Sequence, residues 1–347
     1  MPGTTMLVAR VDRGAVLLLP ADAPSSAATL RVALDRDGLV ATGADPEVSR
    51  DATAADRLPP TVGDVVVVEH DDDRPPRLTA LLPRRTAIVR DSAGGSSRAQ
   101  PLAANVDVVL VVEHLDPDPD LGRVERLLTL AWQSGGLPVV VLTKADVVPD
   151  PAGMAAEVAQ AAPGADVYAV SATAGTGLDP VRALLAPGTT LVVVGPSGAG
   201  KSTLVNALAG TEVMATGERR ADGRGRHTTT HRELVALPGG ALLIDTPGLR
   251  AVGLVADDTA VDATFADVTD LARRCRFADC AHRTEPGCAV QAALESGELP
   301  ERRYASWQRL AREAAWHARR SDARLAALER ARWKQRTVEH HRAARQR

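Results

Sequence analysis

The stretch that decides the fold of this chain is Gly195-Pro196-Ser197-Gly198-Ala199-Gly200-Lys201-Ser202. It has the phosphate-loop pattern of one glycine, four variable residues and then Gly-Lys-Ser. The apolar run Leu191–Val194 precedes it and the helical stretch Thr203–Ala209 follows it, as this pattern requires. We therefore predict that the loop and Thr203 bind a nucleotide, with Lys201 at the terminal phosphates and Ser202 at Mg²⁺. The alternative is a glycine-rich turn that only precedes a helix.

A second motif, Thr143-Lys144-Ala145-Asp146, follows the apolar run Pro138–Leu142 and resembles the guanine-specificity pattern Asn-Lys-x-Asp. The Asp146 carboxylate would accept hydrogen bonds from the N1–H and the exocyclic amine of guanine, which adenine does not offer. Thr143 replaces the usual Asn, which leaves open its contact with the opposite edge of the base. A strand ending in a polar turn is the alternative. Ser171-Ala172, after the run Val167–Val170, resembles a backbone contact to guanine O6.

Lysine content supports both motifs. The chain has 41 basic residues, and the only lysines among them are Lys144, Lys201 and Lys334. Because arginine serves wherever a generic positive charge is needed, a lysine in each motif is informative.

Two further segments fit a nucleotide switch. Asp245-Thr246-Pro247-Gly248 ends the run Ala241–Ile244, where Asp245 could hold Mg²⁺ through water and the Gly248 N–H could meet a γ-phosphate. Residues 223–233, with the sequence GRGRHTTTHRE, combine glycines with hydroxyl groups. They fit a first switch in which Thr229 or Thr230 completes the Mg²⁺ shell, and a polar surface loop is the alternative.

These motifs occur in a permuted order. The base-recognition motifs precede the phosphate loop, which precedes Asp245, whereas an ordinary GTPase begins with its phosphate loop. A circular permutation keeps the site intact because strand packing fixes the motifs wherever the chain is cut. In the permuted order, the chain continues from the switch segment directly into the C-terminal region. Movement driven by the nucleotide could therefore act on that region.

The hydrophobic pattern divides the chain into three predicted units. From Met6 to about Arg90, within the first unit at 1–90, the sequence has short β-runs, including Ala15–Leu19, Thr29–Leu34, Leu39–Thr42 and Asp64–Glu69. They indicate a small antiparallel barrel or another small β domain. Residues 91–253 contain the motifs above and valine-rich runs, including Val108–Val112 and Thr190–Val194, that are typical of buried parallel strands in an α/β sheet. Helical patterns at Gly122–Trp132 and Gly153–Ala161 separate these runs. Residues 254–347 lack such runs and read as helical.

The three cysteines of the chain all fall in the pattern Cys275-x4-Cys280-x-His282-x5-Cys288. Three thiolates and one imidazole make a closed tetrahedral Zn²⁺ site, which is structural because no position remains for water. Scattered free thiols are the alternative. A small, odd number of cysteines argues against a disulfide framework.

The net charge of −3 conceals a basic C-terminal region. Residues 301–347 hold 14 Lys/Arg and 5 Asp/Glu, and the apolar residues Trp307, Leu310 and Ala314 are spaced as on one face of a helix. A solvated helix face and a surface for a phosphate backbone are the two interpretations. Apolar runs fall short of the roughly 18 residues of a membrane span, and Arg10 and Asp12 interrupt the N-terminal one, so we expect a cytoplasmic protein without a membrane anchor.

The whole pattern resembles the ribosome small-subunit-dependent GTPase A family. The resemblance rests on the phosphate loop, the Cys/His pattern and four further segments in the family's order, Leu82-Pro83-Arg84-Arg85, Ala103-Ala104-Asn105-Val106-Asp107, GRGRHTTTHREL and DTPGLR. It implies an OB-like β-barrel at 1–90, a circularly permuted P-loop GTPase core at 91–253 and a zinc-binding helical domain with a basic tail at 254–347. An acidic, proline-rich stretch around Ala44–Pro60 and a weakly basic barrel depart from the family pattern.

The resemblance also implies an activity. It implies that a monomer hydrolyses GTP to GDP and phosphate with Mg²⁺, bound to the small ribosomal subunit and its rRNA. Leu249 stands where many GTPases keep the glutamine that orients water, so we expect slow intrinsic turnover. The resemblance favours His227 over His231 as the residue that positions water. The predicted catalytic residues are Lys201, His227, Thr229, Thr230, Asp245 and Gly248. A non-enzymatic RNA-binding scaffold and a permuted GTPase of large-subunit assembly are the alternatives.

Overall fold

A computed structural model of the chain describes residues 3–24, 28–34, 39–40, 57–71, 73–90, 100–214, 232–245 and 257–321. The strands in these residues are β1 (Thr4–Asp12), β2 (Ala15–Pro20), β3 (Leu30–Ala33), β4 (Leu39–Val40), β5 (Arg57–Leu58), β6 (Val65–Asp71), β7 (Arg74–Leu81), β8 (Ala87–Arg90), β9 (Gln100–Ala104), β10 (Val108–His114), β11 (Leu137–Thr143), β12 (Asp166–Ala169), β13 (Thr190–Val194), β14 (Glu233–Ala236) and β15 (Leu242–Asp245). The helices are α1 (Leu121–Ser134), α2 (Pro151–Gln160), α3 (Asp179–Arg182), α4 (Lys201–Ala209), α5 (Asp258–Thr264), α6 (Ala266–Arg273), α7 (Ala289–Ser296) and α8 (Glu301–Ser321), with a short 3-10 helix at Ala145–Val147.

Five parallel strands form the α/β core, in the order β12-β11-β10-β13-β15. The valine-rich runs form strands because β-branched side chains pack well on both faces of a sheet. Val111, Val140 and Val192 are fully buried there. The predicted parallel α/β class is confirmed, and the predicted core strands and helices differ from the observed ones only at their ends.

The N-terminal strands form an antiparallel barrel-like unit. Its strands pair in the order β3-β2-β1-β6-β7, and β3 and β7 at the two ends of this row come back into contact. Its interior is apolar and is filled by Met6, Val8, Val16, Leu18, Val32, Val66, Val68 and Leu81. The predicted small antiparallel barrel is therefore present.

Two strands of the barrel were not among the predicted β-runs. In β1, Asp12 accepts hydrogen bonds from Arg10 Nε at 3.1 Å and from Arg31 Nη1 at 3.0 Å, so charged residues that interrupt the apolar pattern pair with each other. In β7, Pro75 and Pro76 are tolerated because, among the described strands, β7 pairs with β6 alone and the register shifts beside the prolines.

Strands β9 and β14 were also not predicted, and both lie where the barrel meets the core. β8 and β9 form an antiparallel hairpin that crosses the predicted boundary between residues 90 and 91. β14 pairs antiparallel with β15 of the core and with β1 of the barrel, where Arg10 lies opposite Glu233. One hydrogen-bonded sheet therefore runs from the core into the barrel.

The barrel loop at residues 61–64 lies against this junction. Gly63 has a φ of +88°, and a Cβ at this position would collide with the Ala104 backbone oxygen. The Asn105 side-chain amide donates to the Gly63 oxygen at 2.9 Å, and its oxygen accepts from the Arg85 N–H at 3.0 Å. The segments 82–85 and 103–107, which carried part of the family resemblance, thus hold the barrel on the core.

Residues 257–321 are helical and pack mainly on α1. Arg303 of α8 is almost fully buried, and it donates to Glu125 of α1 at 2.9 Å and to Asp267 of α6 at 2.8 Å. Its guanidinium also lies 4.2 Å from the centre of the Phe265 ring. Gln133 of α1 binds both the N–H and the carboxylate of Asp257, the residue that caps α5. No helix among the described residues is long and apolar enough to cross a membrane.

Candidate nucleotide and metal sites

The predicted nucleotide-binding residues meet at the carboxyl edge of the parallel sheet. The phosphate loop follows β13, the segment 143–146 follows β11, Ser171 follows β12, and Asp245 ends β15. In the sheet, β10 lies between β11 and β13, the two strands that carry the predicted base segment and the phosphate loop. In open α/β sheets, ligands bind outside this edge.

The phosphate loop is packed tightly against β10. Gly195 has a φ of +149°, and a Cβ there would collide with the Val112 backbone oxygen, so only glycine fits. The Lys201 ammonium lies in the loop and donates to the backbone oxygens of Gly195 at 3.0 Å and Pro196 at 2.6 Å. The loop thus presents a positive charge at the position where the sequence predicts phosphates.

The N-terminus of α4 carries no capping side chain, unlike those of α1, α2 and α5. Asp120, Asp150 and Asp257 cap α1, α2 and α5, each accepting a hydrogen bond from a backbone N–H of the first turn. Gly200 occupies the corresponding position of α4 and supplies no side-chain cap. The first N–H groups of α4, which include those of Ser202 and Thr203, therefore lack a capping side chain and suit an anionic ligand.

Thr143 connects the base segment to the phosphate loop. Its side-chain hydroxyl lies 2.8 Å from the Ala199 oxygen and 3.3 Å from the Glu113 oxygen, and the residue is only 2 % exposed. Lys144 has a left-handed backbone, with a φ of +62°, and its ammonium donates to the Asp116 oxygen at 2.7 Å. The structure thus brings the first two residues of the motif to the ends of β10 and of the phosphate loop.

Asp146 and the segment after β12 lie side by side. The Ala145 N–H donates to the Val170 oxygen at 3.1 Å, and the Thr173 hydroxyl lies 3.5 Å from the Asp146 carboxylate. Hydrogen bonds from Ser171, then from its own backbone and from Thr173, lower the pKa of the exposed Asp146 carboxyl. Asp146 is therefore ionised at neutral pH and can accept hydrogen bonds from a ligand.

An ion pair with a buried carboxylate beneath this edge was not predicted. Glu113 at the end of β10 is fully buried and accepts two hydrogen bonds from Arg123 of α1, at 2.6 and 3.1 Å. The hydrogen bond to Glu113 raises the pKa of Arg123. His114 follows Glu113, and its Nδ1 lies 3.0 Å from the Pro117 oxygen. A single Glu-His pair at the end of a valine-rich strand gives no local signal for a partner on the next helix.

Most predicted switch residues fall outside the described residues. These are His227, Thr229, Thr230 and Gly248. The backbone of Asp245 ends β15, where it lies opposite Glu233 of β14. Because β15 and β13 are parallel neighbours, Asp245 ends at the same edge as the phosphate loop.

The four predicted metal ligands lie together between α6 and α7. The ligand atoms of Cys275, Cys280, His282 and Cys288 all lie within 4.8 Å of one another. The sulfurs of Cys275 and Cys288 are 3.9 Å apart. A tetrahedral site with Zn–S bonds of about 2.3 Å would separate two sulfurs by about 3.8 Å. The residues therefore fit a closed tetrahedral metal site.

The surroundings of the cluster also favour a cation. Burial raises the pKa of the Cys280 thiol to about 11, with a contribution from the neighbouring cysteines. Burial also disfavours ionisation of Cys275, but hydrogen bonds from the backbone N–H groups of Val290 and Ala289 and from the Cys288 and Cys280 thiols together lower its pKa. Three neighbouring thiols cannot all ionise without a compensating positive charge, which a bound metal ion would supply.

Further contacts hold the metal-binding loop in place. The His282 oxygen accepts from Gln291 at 2.6 Å and from the Tyr304 hydroxyl at 3.0 Å, and Trp307 packs edge-on against the His282 ring. Glu285 accepts hydrogen bonds from the N–H groups of Arg283, Ala281 and Thr284, and such bonds lower its pKa to about 2. These contacts therefore hold the loop that contains the cluster against α8.

A parallel sheet with a phosphate loop, a guanine-type motif at the same edge and this chain order define a circularly permuted P-loop GTPase. The family model for the RsgA GTPase matches residues 81–255. The chain belongs to this family.

Relatives extend the likeness beyond the core. A Streptomyces avermitilis protein described as "small ribosomal subunit biogenesis GTPase RsgA" is 53 % identical over 281 residues, which cover 80 % of this chain and 75 % of the relative. Two solved structures share the fold at 23 % identity. YloQ, a circularly permuted GTPase, gives a TM-score of 0.60 over 90 % of this chain and 95 % of its own, and YjeQ from Thermotoga maritima gives 0.59 over 90 % and 98 %.

Proposed function

We propose that this protein hydrolyses GTP to GDP and phosphate during late maturation of the small ribosomal subunit, and that the subunit activates it. The observation that carries the proposal is the meeting of Lys201 and Asp146 at one sheet edge, joined through Thr143. The printed description of the Streptomyces relative as a small-subunit biogenesis GTPase supports the choice of partner.

Each residue has a definite role in this proposal. Asp146 binds the N1–H and exocyclic amine of guanine, and the Ala172 N–H meets O6. On binding, the Lys201 ammonium exchanges the carbonyl oxygens of Gly195 and Pro196 for phosphate oxygens. The N–H groups at the uncapped start of α4 bind the same phosphates.

The remaining roles concern water and the ions. Ser202, and Asp245 through water, would hold Mg²⁺, which neutralises charge on the phosphates. Thr229 or Thr230 would complete that shell, Gly248 would donate to the γ-phosphate, and His227 would position water. Zn²⁺ is our assignment for the metal of the Cys275, Cys280, His282 and Cys288 site, because a Cys₃His set suits it.

The basic C-terminal region is the proposed contact with rRNA. Residues 301–347 carry a net charge of +9, and phosphate backbones attract such segments. We further propose that the protein acts as a monomer in the cytoplasm, where ribosomal subunits mature.

The deciding experiment measures phosphate release from GTP by the full chain alone, with purified small subunits and with purified large subunits. We expect slow release alone and a strong increase with small subunits only. Lys201→Ala should abolish release without changing the melting temperature, because this ammonium contacts the loop and not the apolar core. Release that small subunits do not increase, despite binding, would favour the scaffold, and an increase with large subunits would favour the other GTPase class.

The metal assignment has its own test. Elemental analysis of the purified chain should give about one zinc per molecule. Cys288→Ser should lose the zinc and increase hydrogen exchange in residues 257–321 while leaving the exchange of β10 and β11 unchanged. Zinc-free protein with normal protection of these helices would contradict the assignment.

A further inference from the structure

The side chain of Thr143 is placed to hold the phosphate loop instead of the base. A threonine hydroxyl has one proton to donate. The acceptor nearest to the Thr143 hydroxyl is the Ala199 backbone oxygen, at 2.8 Å. The Glu113 backbone oxygen is the second acceptor, at 3.3 Å. Both acceptors are backbone oxygens of the protein, and Thr143 is almost fully buried between them.

Guanine presents two acceptors on the edge away from its exocyclic amine, O6 and N7. In the proposed function, O6 meets the Ala172 N–H and the opposite edge meets Asp146. N7 is then the acceptor left for residue 143 or for water to meet. An asparagine at position 143 has two N–H protons and could keep the contact with Ala199 while donating to N7, whereas the single proton of Thr143 serves only one acceptor.

We propose that this protein recognises GTP without a hydrogen bond from residue 143 to guanine N7, and that Thr143 acts as a positioning residue for the phosphate loop. The inference rests on the proposed function, since it concerns the same nucleotide site. Its chemical consequence is a site that tolerates purine nucleotides altered at N7 while still requiring the N1–H and the exocyclic amine.

The test compares GTP with 7-deaza-GTP, in which a C–H replaces N7, by equilibrium binding to the full chain. The wild-type chain should bind the two nucleotides within about twofold of each other. Thr143→Asn should prefer GTP by about fivefold to tenfold, the value of one hydrogen bond.

Two smaller variants separate the positioning role from base recognition. Thr143→Val keeps the shape of the side chain but removes the hydroxyl. It should therefore lower the affinity for GTP, GDP and 7-deaza-GTP by the same factor, about threefold to tenfold. Thr143→Ser keeps the hydroxyl and should bind all three within about twofold of wild type. These two variants test the inference even if Thr143→Asn does not fold.

The outcomes are distinct. Wild-type discrimination of fivefold or more against 7-deaza-GTP that disappears in Thr143→Val would overturn this inference and leave the proposed function intact. Equal binding of GTP and 7-deaza-GTP by Thr143→Asn would also contradict it. A wild-type chain that binds neither GTP nor GDP would instead refute the proposed function.

Discussion

The barrel contacts the core mainly through main-chain hydrogen bonds, whereas the C-terminal helices add a buried charge network to their apolar contact with α1. At the barrel, β1 pairs with β14, the Ala104 N–H donates to the Val62 oxygen at 2.9 Å, and Asn105 binds the Gly63 oxygen. At the helices, the central contact is Arg303 with Glu125, both almost fully buried. One junction combines close approach of main chains with the ion pairs of Arg84 with Asp64 and of Arg10 with Glu233, and the other places a buried charge network between packed helices.

The difference bears on how a nucleotide could influence each unit. β14 begins at Glu233, the last residue of the segment predicted to be the first switch, so the barrel is hydrogen-bonded to the strand that this segment enters. The chain from Asp245 reaches the helices at Asp257, but Gln133 of α1 holds that residue through two hydrogen bonds. A pull from the chain after Asp245 would therefore have to overcome the α1 contacts before it moved the helices.

The largest effect should come from removing the buried charge at the helical junction. Arg303→Met leaves Glu125 and Asp267 without their main partner and should lower the free energy of unfolding by about 3–5 kcal/mol. Chemical denaturation gives the size of the loss, and hydrogen exchange of residues 257–321 shows where it occurs.

Arg302 provides a matched control, because it also pairs with Glu125, at 3.0 Å, but is 45 % exposed. Arg302→Met should lower the free energy of unfolding by less than about 1 kcal/mol. Equal losses for the two variants would show that the junction depends on total charge and not on burial.

The second effect concerns the barrel junction and should be smaller. Gly63→Ala imposes a strained φ and a collision with the Ala104 oxygen, so we expect a loss of roughly 2–4 kcal/mol in the free energy of unfolding. Gly14→Ala is the control, since Gly14 has a φ of +76° but nothing within 4 Å of an added Cβ. The Gly14→Ala variant should lose only about 1 kcal/mol of the free energy of unfolding, from the strained backbone. If Gly14→Ala is equally destabilising, the close packing at residue 63 does not hold the barrel in place.

These two junctions also mark the limit of what the sequence predicts. The phosphate loop and the segment 143–146 could be placed because each is a short pattern after an apolar strand, and parallel strands bring their ends to one edge. The four metal ligands could be placed because they lie within one short segment. Such local patterns carry their own evidence.

Contacts between residues far apart in the chain leave no such local pattern in the sequence. Glu125 and Arg303 are separated by 178 residues, and Thr143 and Ala199 by 56, so no spacing rule connects them. Buried charges also look like ordinary surface residues of a helix until the packing is known. Strands β1 and β7 were not named individually from the sequence for a related reason, because ion pairs and a register shift accommodate their charged residues and prolines.

The smallest effect should come from the exposed ion pair at the same helical junction. Arg126 of α1 donates to Glu313 of α8 at 2.7 Å, as short as the buried contacts, but both side chains are about one third exposed, at 35 and 36 %. Water solvates these charges when they separate, and salt screens them, so Glu313→Gln should change the free energy of unfolding by less than about 0.5 kcal/mol. The change should vanish at high salt, whereas the loss in Arg303→Met should persist. A loss in Glu313→Gln comparable to that of Arg303→Met would show that distance, and not burial, determines what holds the C-terminal helices on α1.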